Sequence, residues 1–206
     1  MTLAEVRRTF DDWAPIYNPT HGWTLPKRRA ARLALGLRPG DRVLDLACGT
    51  GLNFAHLRAL VGERGQVVGV DLAPRMLQVA HRLSGERRWT NVEAREADAA
   101  QLPFPAESFD KVLCSFALNI IPDYRQAVRE VWRVLVPGGR FVSLEMRSGF
   151  HSMPHVWRVC AVDTTHDVLG GLREVFDDVR VTRHWIGMIL IATAVKETAP
   201  GIAGGQ

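Results

Sequence analysis

Cysteine is scarce: 206 residues contain only three, Cys48, Cys114 and Cys160. They are scattered, with no C-x-x-C pair and no even set to build a disulfide framework, so a reducing, cytoplasmic setting is expected. Long apolar runs are missing too. No stretch reaches the roughly 20 residues that a membrane-crossing helix needs. The first residues lack the apolar core of a secretory signal. Linkers, internal repeats and low-complexity blocks are absent, which leaves one domain over residues 1–206, long enough to bury a sizeable core. Neither sign of charge dominates. The net charge of +4 admits anionic surfaces as partners, and a merely soluble surface explains it equally well. No nucleic-acid recognition module accompanies it, so nucleic acid is not expected. None of these features fixes the oligomeric state.

What is present is concentrated between Arg42 and Gly51, Arg-Val-Leu-Asp-Leu-Ala-Cys-Gly-Thr-Gly. Val43, Leu44, Leu46 and Ala47 form a nearly continuous apolar run, which suits a strand covered on both faces. Gly49 and Gly51 break it, and a helical segment follows from Asn53 to Val61. Strand, glycine turn and helix build a ligand site beyond the carboxyl ends of an open α/β sheet. The dinucleotide fingerprint G-x-G-x-x-G/A takes Gly49 and Gly51, but its third position falls on Phe54, which counts against NAD. The segment from Asp45 to Gly51 instead resembles motif I of the class I methyltransferases. That resemblance implies S-adenosyl-L-methionine as cofactor, with Asp45, Ala47, Gly49 and Gly51 around it.

Other segments fit in order. Leu3, Val6, Phe10 and Trp13 fall on one side of an amphipathic helix, which Pro15 ends. Trp-Ala-Pro-Ile-Tyr-Asn (Trp13 to Asn18) resembles the "WAPxYD" segment of small methyltransferases, with Asn18 where Asp is usual. An amide still accepts a hydrogen bond but brings no charge. A second helix opens near Pro26. Its cluster Lys27-Arg28-Arg29 reads either as a solvated face or as a contact for lipid headgroups. The resemblance implies that residues 1–36 cover the site.

A second strand, Gln66 to Asp71, ends in an acid about 20 residues past the glycines, the spacing at which a carboxylate takes ribose hydroxyls. By resemblance, Leu72 and Met76 lie near the adenine, Asp98 accepts from its amino group, and the backbone N–H of Ala99 reaches a ring nitrogen. Leu102 to Asp110 resembles the "LPFPDxSFD" stretch of the ubiquinone/menaquinone methyltransferase group, and Arg133 to Arg140 its "RVLxPGGR" turn. Phospholipid N-methyltransferases are similar. Ser115, Phe116 and Asn119 leave the fourth strand, where cofactor and acceptor should meet.

Beyond Met146 the likeness weakens. His151 and His155 lie four residues apart, but no third ligand stands at fitting spacing and no metal is expected. Tyr17, Asn119 and His151 are the candidates for catalytic work by position, with His21, Glu145 and His155 behind them. Asp178 to Trp185 and Ile189 to Val195 are two strands so closely joined that they must form an antiparallel hairpin. Residues 198–206 read as a flexible tail.

The expected fold is therefore α/β, a Rossmann-like class I methyltransferase sheet. It is mostly parallel, with one antiparallel strand in a C-terminal hairpin and helices on both faces. The expected activity is in-line methyl transfer to a lipid-like acceptor, a phospholipid headgroup amine or a quinone precursor, by a cytoplasmic protein that sits peripherally on an anionic membrane. The alternatives are a soluble metabolite as acceptor, or a cofactor-binding protein without turnover.

Overall fold

A computed structural model describes residues 1–146, 163 and 165–198. Among the described residues seven strands form one sheet: β1 (Arg42–Leu46), β2 (Gln66–Asp71), β3 (Val92–Glu96), β4 (Phe109–Ser115), β5 (Leu135–Met146), β6 (Asp178–His184) and β7 (Ile189–Val195). Their spatial order is β3-β2-β1-β4-β5-β7-β6. β1 to β5 run parallel, and β7 lies antiparallel to both β5 and β6. The expected sheet and its closing hairpin are present.

The apolar run of β1 is buried because helices cover both sides. On one face Leu44, Val68, Val112 and Phe141 pack under Ala127, Val128 and Val131 of α6 (Tyr124–Val134). On the other, Val43, Val67, Leu113 and Val142 pack against three helices. These are α3 (Leu25–Ala34), α4 (Phe54–Val61) and α5 (Pro74–Glu86). α7 (Val168–Arg173) adds Val168 and Leu172 to the α6 side. The connection reverses direction after β3, so β1 and β4 become neighbours. That switch point opens a crevice at the carboxyl ends of β1, β2 and β4.

α1 (Leu3–Trp13) starts with a capping box between Thr2 and Glu5. It ends just before Pro15, as expected, and a short α2 (Tyr17–His21) follows. Phe10, Trp13 and Tyr17 pack with Ala73 and Met76, which ties this segment to the start of α5.

Two local expectations change. The stretch from Arg133 to Arg140, expected as a turn, already pairs as strand at Leu135, with Phe109↔Leu135 and Lys111↔Arg140 flanking a register shift. The Pro-Gly-Gly turn is thus a bulge within the strand. The basic cluster of α3 does not share one solvated face. Arg28 and Arg32, one helical turn apart, point inward at 3% and 4% exposure, while Arg29 stays exposed. Position around the helix, which docking sets, decides which cation is buried.

Candidate active site

The glycine turn sits where β1 ends. Ala47, Gly49 and Gly51 all take left-handed backbone, with φ of 53°, 56° and 79°. The Cys48 N–H donates to the carbonyl of Val70 on β2 at 2.9 Å, which locks the turn to the sheet. A Cβ at Gly49 would meet nothing closer than 4.0 Å, Met76 Sδ and Tyr17 Cε1. The backbone there is open to the crevice.

Asp71 closes β2 beside it. One carboxylate oxygen accepts from the Gly49 N–H at 2.8 Å and the other from the Ala73 N–H at 2.9 Å. Burial raises its pKa, and the N–H groups of Ala73, Gly49 and Leu72 oppose that rise. Both oxygens keep lone pairs beyond those two bonds.

One cavity gathers most of the residues singled out by the sequence. Ala47, Gly49, Asp71, Leu72 and Met76 line it from the β1–β2 side, Asp98 and Ala99 from the end of β3, and Ser115 and Phe116 from the end of β4. Tyr17 faces it too. Its ring stacks on His21 with centroids 3.9 Å apart, and burial raises the phenol's pKa against the nearby Arg28. Thr50 donates a hydrogen bond to the amide oxygen of Asn18, so the amide acts as an acceptor as expected. Phe116 has a φ of 61°, a costly conformation for a bulky residue and one that clusters at ligand sites.

Two of the residues expected at the cofactor lie behind the cavity wall. Gly51 packs on Phe54: an added Cβ would sit 2.7 Å from that ring. Asp45 is fully buried. Asn53 Nδ2 donates to both of its oxygens, at 3.0 and 3.2 Å, and Arg32 donates to Asn53 Oδ1 at 3.2 Å. Burial pushes Asp45 up to about 7, opposed by Asn53, Arg28 and Arg32. From the sequence alone Asn53 reads only as the start of a helix. It opens α4 but makes no side-chain cap bond, because its amide turns to Asp45 instead. Nothing local signals that choice.

Asn119 lies elsewhere. It borders a second cavity with Ser143, Glu145 and His166, and its amide donates to Glu145 Oε2 at 3.3 Å and to the Met146 carbonyl at 3.0 Å. Glu145 also accepts from Ser143 Oγ at 2.8 Å, and burial pushes it up to about 7. His151 and His155 fall outside the described residues. Among the described residues no His/Cys/Asp/Glu cluster has the makings of a metal site. Leu3, Val6, Phe10, Ile120 and Ile121 line the first cavity as well. The first three are the apolar stripe of α1, and that periodicity was the available signal.

The two carboxyls raised to about 7, Asp45 and Glu145, set a pH dependence. Such an acid holds its proton in the folded chain at pH values where the unfolded chain has lost it. The stabilisation is complete below the ordinary carboxylate range of about 4 and is lost as pH rises through about 7. Denaturant midpoints for Glu145→Gln should therefore vary less with pH than those of the parent chain between about pH 5 and pH 8. Identical slopes would mean that Glu145 does not titrate in that window.

Residues 44–143 match the family model described as "Methyltransferase domain". A demethylmenaquinone methyltransferase of Thermus thermophilus is 47% identical over 122 residues, 58% of this chain and 53% of that protein. One from Deinococcus radiodurans is 43% identical over 124 residues, 60% and 49% of the two chains. The chain thus spans about half the length of these curated relatives. A SAM dependent methyltransferase from Aquifex aeolicus shares the fold, with a TM-score of 0.67 at 20% identity over 82% of this chain and 88% of that one. The matched segment runs from β1 into β5 and carries the glycine turn, Asp71 and Asp98. Over the segment that builds the site, the chain is therefore similar to the class I S-adenosylmethionine-dependent methyltransferases, with curated relatives in their ubiquinone/menaquinone-like group.

Proposed function

We propose that this chain is an S-adenosyl-L-methionine-dependent methyltransferase whose acceptor is lipid-like, a quinone precursor before a phospholipid headgroup amine. The observation that carries the reading is Asp71. It is a half-buried carboxylate at the carboxyl end of β2, held by two backbone N–H groups with lone pairs left over, in a cavity that Asp98 and the glycine turn also line. The fit to a nucleoside follows from this donor and acceptor set. Asp71 offers acceptors to vicinal hydroxyls. Leu72, Met76 and Ala99 supply apolar walls for a flat ring, and Asp98 supplies an acceptor at the ring's polar edge. The names of the two curated relatives favour the quinone precursor over the phospholipid.

When bound, the cofactor supplies a methyl group already activated on a sulfonium. The chain's own task is then alignment and exclusion of water. Leu3, Val6 and Phe10 of α1 roof the cavity, in keeping with residues 1–36 as a cover within one domain. Phe116 and Tyr17 flank the end where an acceptor enters. Burial keeps the Tyr17 phenol protonated, so it serves as a hydrogen-bond donor rather than a base. Asn53 and Arg32 act as positioning residues, holding Asp45 under the turn. Asn119 positions Glu145 and the end of β5.

The test is calorimetric titration with S-adenosylmethionine and S-adenosylhomocysteine, followed by transfer of labelled methyl to a demethylated quinone in vesicles. Saturable binding and label in the quinone are expected. Binding with label only in soluble amines or phenols would move the acceptor to soluble metabolites. Absence of binding would overturn the reading.

A further inference from the structure

We infer that the tip of the β6–β7 hairpin, together with Trp23, seats the protein on an anionic lipid bilayer beside the mouth of the cavity. This deepens the lipid-acceptor reading above and rests on it for its purpose, though its observations are separate.

The tip is Trp185-Ile186. Both residues have positive φ, 50° and 52°, and the Gly187 N–H closes the turn onto the His184 carbonyl at 3.1 Å. Hairpin turns with two left-handed central residues ordinarily carry Gly, Asn or Asp. A β-branched residue there is an outlier, and such strain concentrates where a function requires it. Ile186 is fully exposed and Trp185 is half exposed. The Trp185 ring stacks on Trp23, with centroids 5.6 Å apart and planes 16° from parallel. Trp23 is itself 45% exposed and lies 6.4 Å from the ring of Phe116, a cavity residue. Lys27 Nζ stands 5.3 Å from the Trp185 ring. Two tryptophans, an outward aliphatic and an adjacent lysine have the chemistry of an interfacial anchor. The aliphatic enters the acyl boundary, indoles sit at headgroup depth and the ammonium meets phosphate.

Charge selects this occupant over others. The segment from Trp13 to Gly40 contains no Asp or Glu, and neither does the segment from Val179 to Lys196. These are the two stretches that meet at the patch. Lys27, Arg29 and Arg183 lie in them with no acid of either stretch to repel anionic headgroups. A second copy docking on the same face about a two-fold axis would bring these cations against their own images.

The experiment is co-sedimentation with phosphatidylglycerol-containing vesicles, with pure phosphatidylcholine vesicles as reference, for the parent chain and Ile186→Asn. Asparagine tolerates positive φ, so the variant should melt no lower than the parent and bind S-adenosylhomocysteine equally. Its partition onto anionic vesicles should fall at least about tenfold, the loss expected when one aliphatic side chain no longer leaves water. No sedimentation of the parent chain with anionic vesicles overturns the inference, as does equal partition of the variant. A dimer that Ile186→Asn dissociates, without vesicle binding, assigns the face to a second copy and also overturns it. Vesicle binding that persists while S-adenosylhomocysteine fails to bind would sink the methyltransferase reading and leave the docking surface standing.

Discussion

Asp71→Ala should weaken S-adenosylhomocysteine binding by about 100-fold to 10,000-fold. Hydrogen bonds to a charged group contribute about 1.5–3 kcal/mol each, and two ribose hydroxyls would lose their acceptor together, about 3–6 kcal/mol in all. The substitution also leaves the Gly49 and Ala73 N–H groups without their carboxylate, which loosens the glycine turn. Asp71→Asn should fall between, because one amide oxygen still accepts while the amide NH2 faces an N–H. Burial raises the Asp71 pKa, so affinity in the parent chain should decline in acid as the carboxylate takes up its proton. Calorimetric titration of the three chains, with a melting curve for each, separates the two roles. If Asp71→Ala lowers the melting temperature but leaves affinity within a few-fold, Asp71 is only a strut for the turn.

Phe54→Ala should destabilise the chain by about 3–5 kcal/mol, the usual cost of truncating a buried phenylalanine, against a total of about 5–15 kcal/mol for a domain. Phe54 is fully buried. Its ring fills the space that side chains at Gly51 and Gly69 would otherwise claim. A Cβ at Gly51 would lie 2.7 Å from Phe54 Cδ2, and one at Gly69 would lie 2.5 Å from Cζ. Gly69→Ala alone should also be destabilising. Combined with Phe54→Ala, part of that cost should vanish, since the added methyl enters the cavity left by the ring. Urea denaturation of the four chains measures the coupling, and strict additivity would show that ring and strand do not compete for the same space. The same packing explains why the dinucleotide fingerprint fails here. The small residue that fingerprint places on the helix is, in this chain, Gly69 on β2, and the large residue is on the helix.

Whatever depends on neighbours along the chain was legible in the amino-acid order. The apolar run of Val43 to Leu46, the left-handed turn at Gly49 and Gly51, and the acid closing Gln66 to Asp71 are local. A strand–turn–helix unit places its turn at the sheet's carboxyl end however the rest of the chain packs. The same holds for the hairpin, whose short connection forces an antiparallel pair. Asp71, Leu72, Met76, Asp98 and Ala99 could therefore be placed around one crevice from their spacing and family likeness. The helix periodicity of α1 likewise showed an apolar face without showing what it covered.

Which side chains turn inward from helices emerged with the packing, because that depends on rotation and docking of elements far apart in the chain. The packing buried Arg28 and Arg32 out of a run that looks solvated, and drew Asn53 away from a helix cap to Asp45. It also sent Asn119 to Glu145 rather than to the cavity that Tyr17 lines. Each of these contacts joins residues whose partners lie on other elements. The burial that moves Asp45 and Glu145 up to about 7 is a property of the packed interior, where water no longer solvates the charge. No reading of a single stretch contains it.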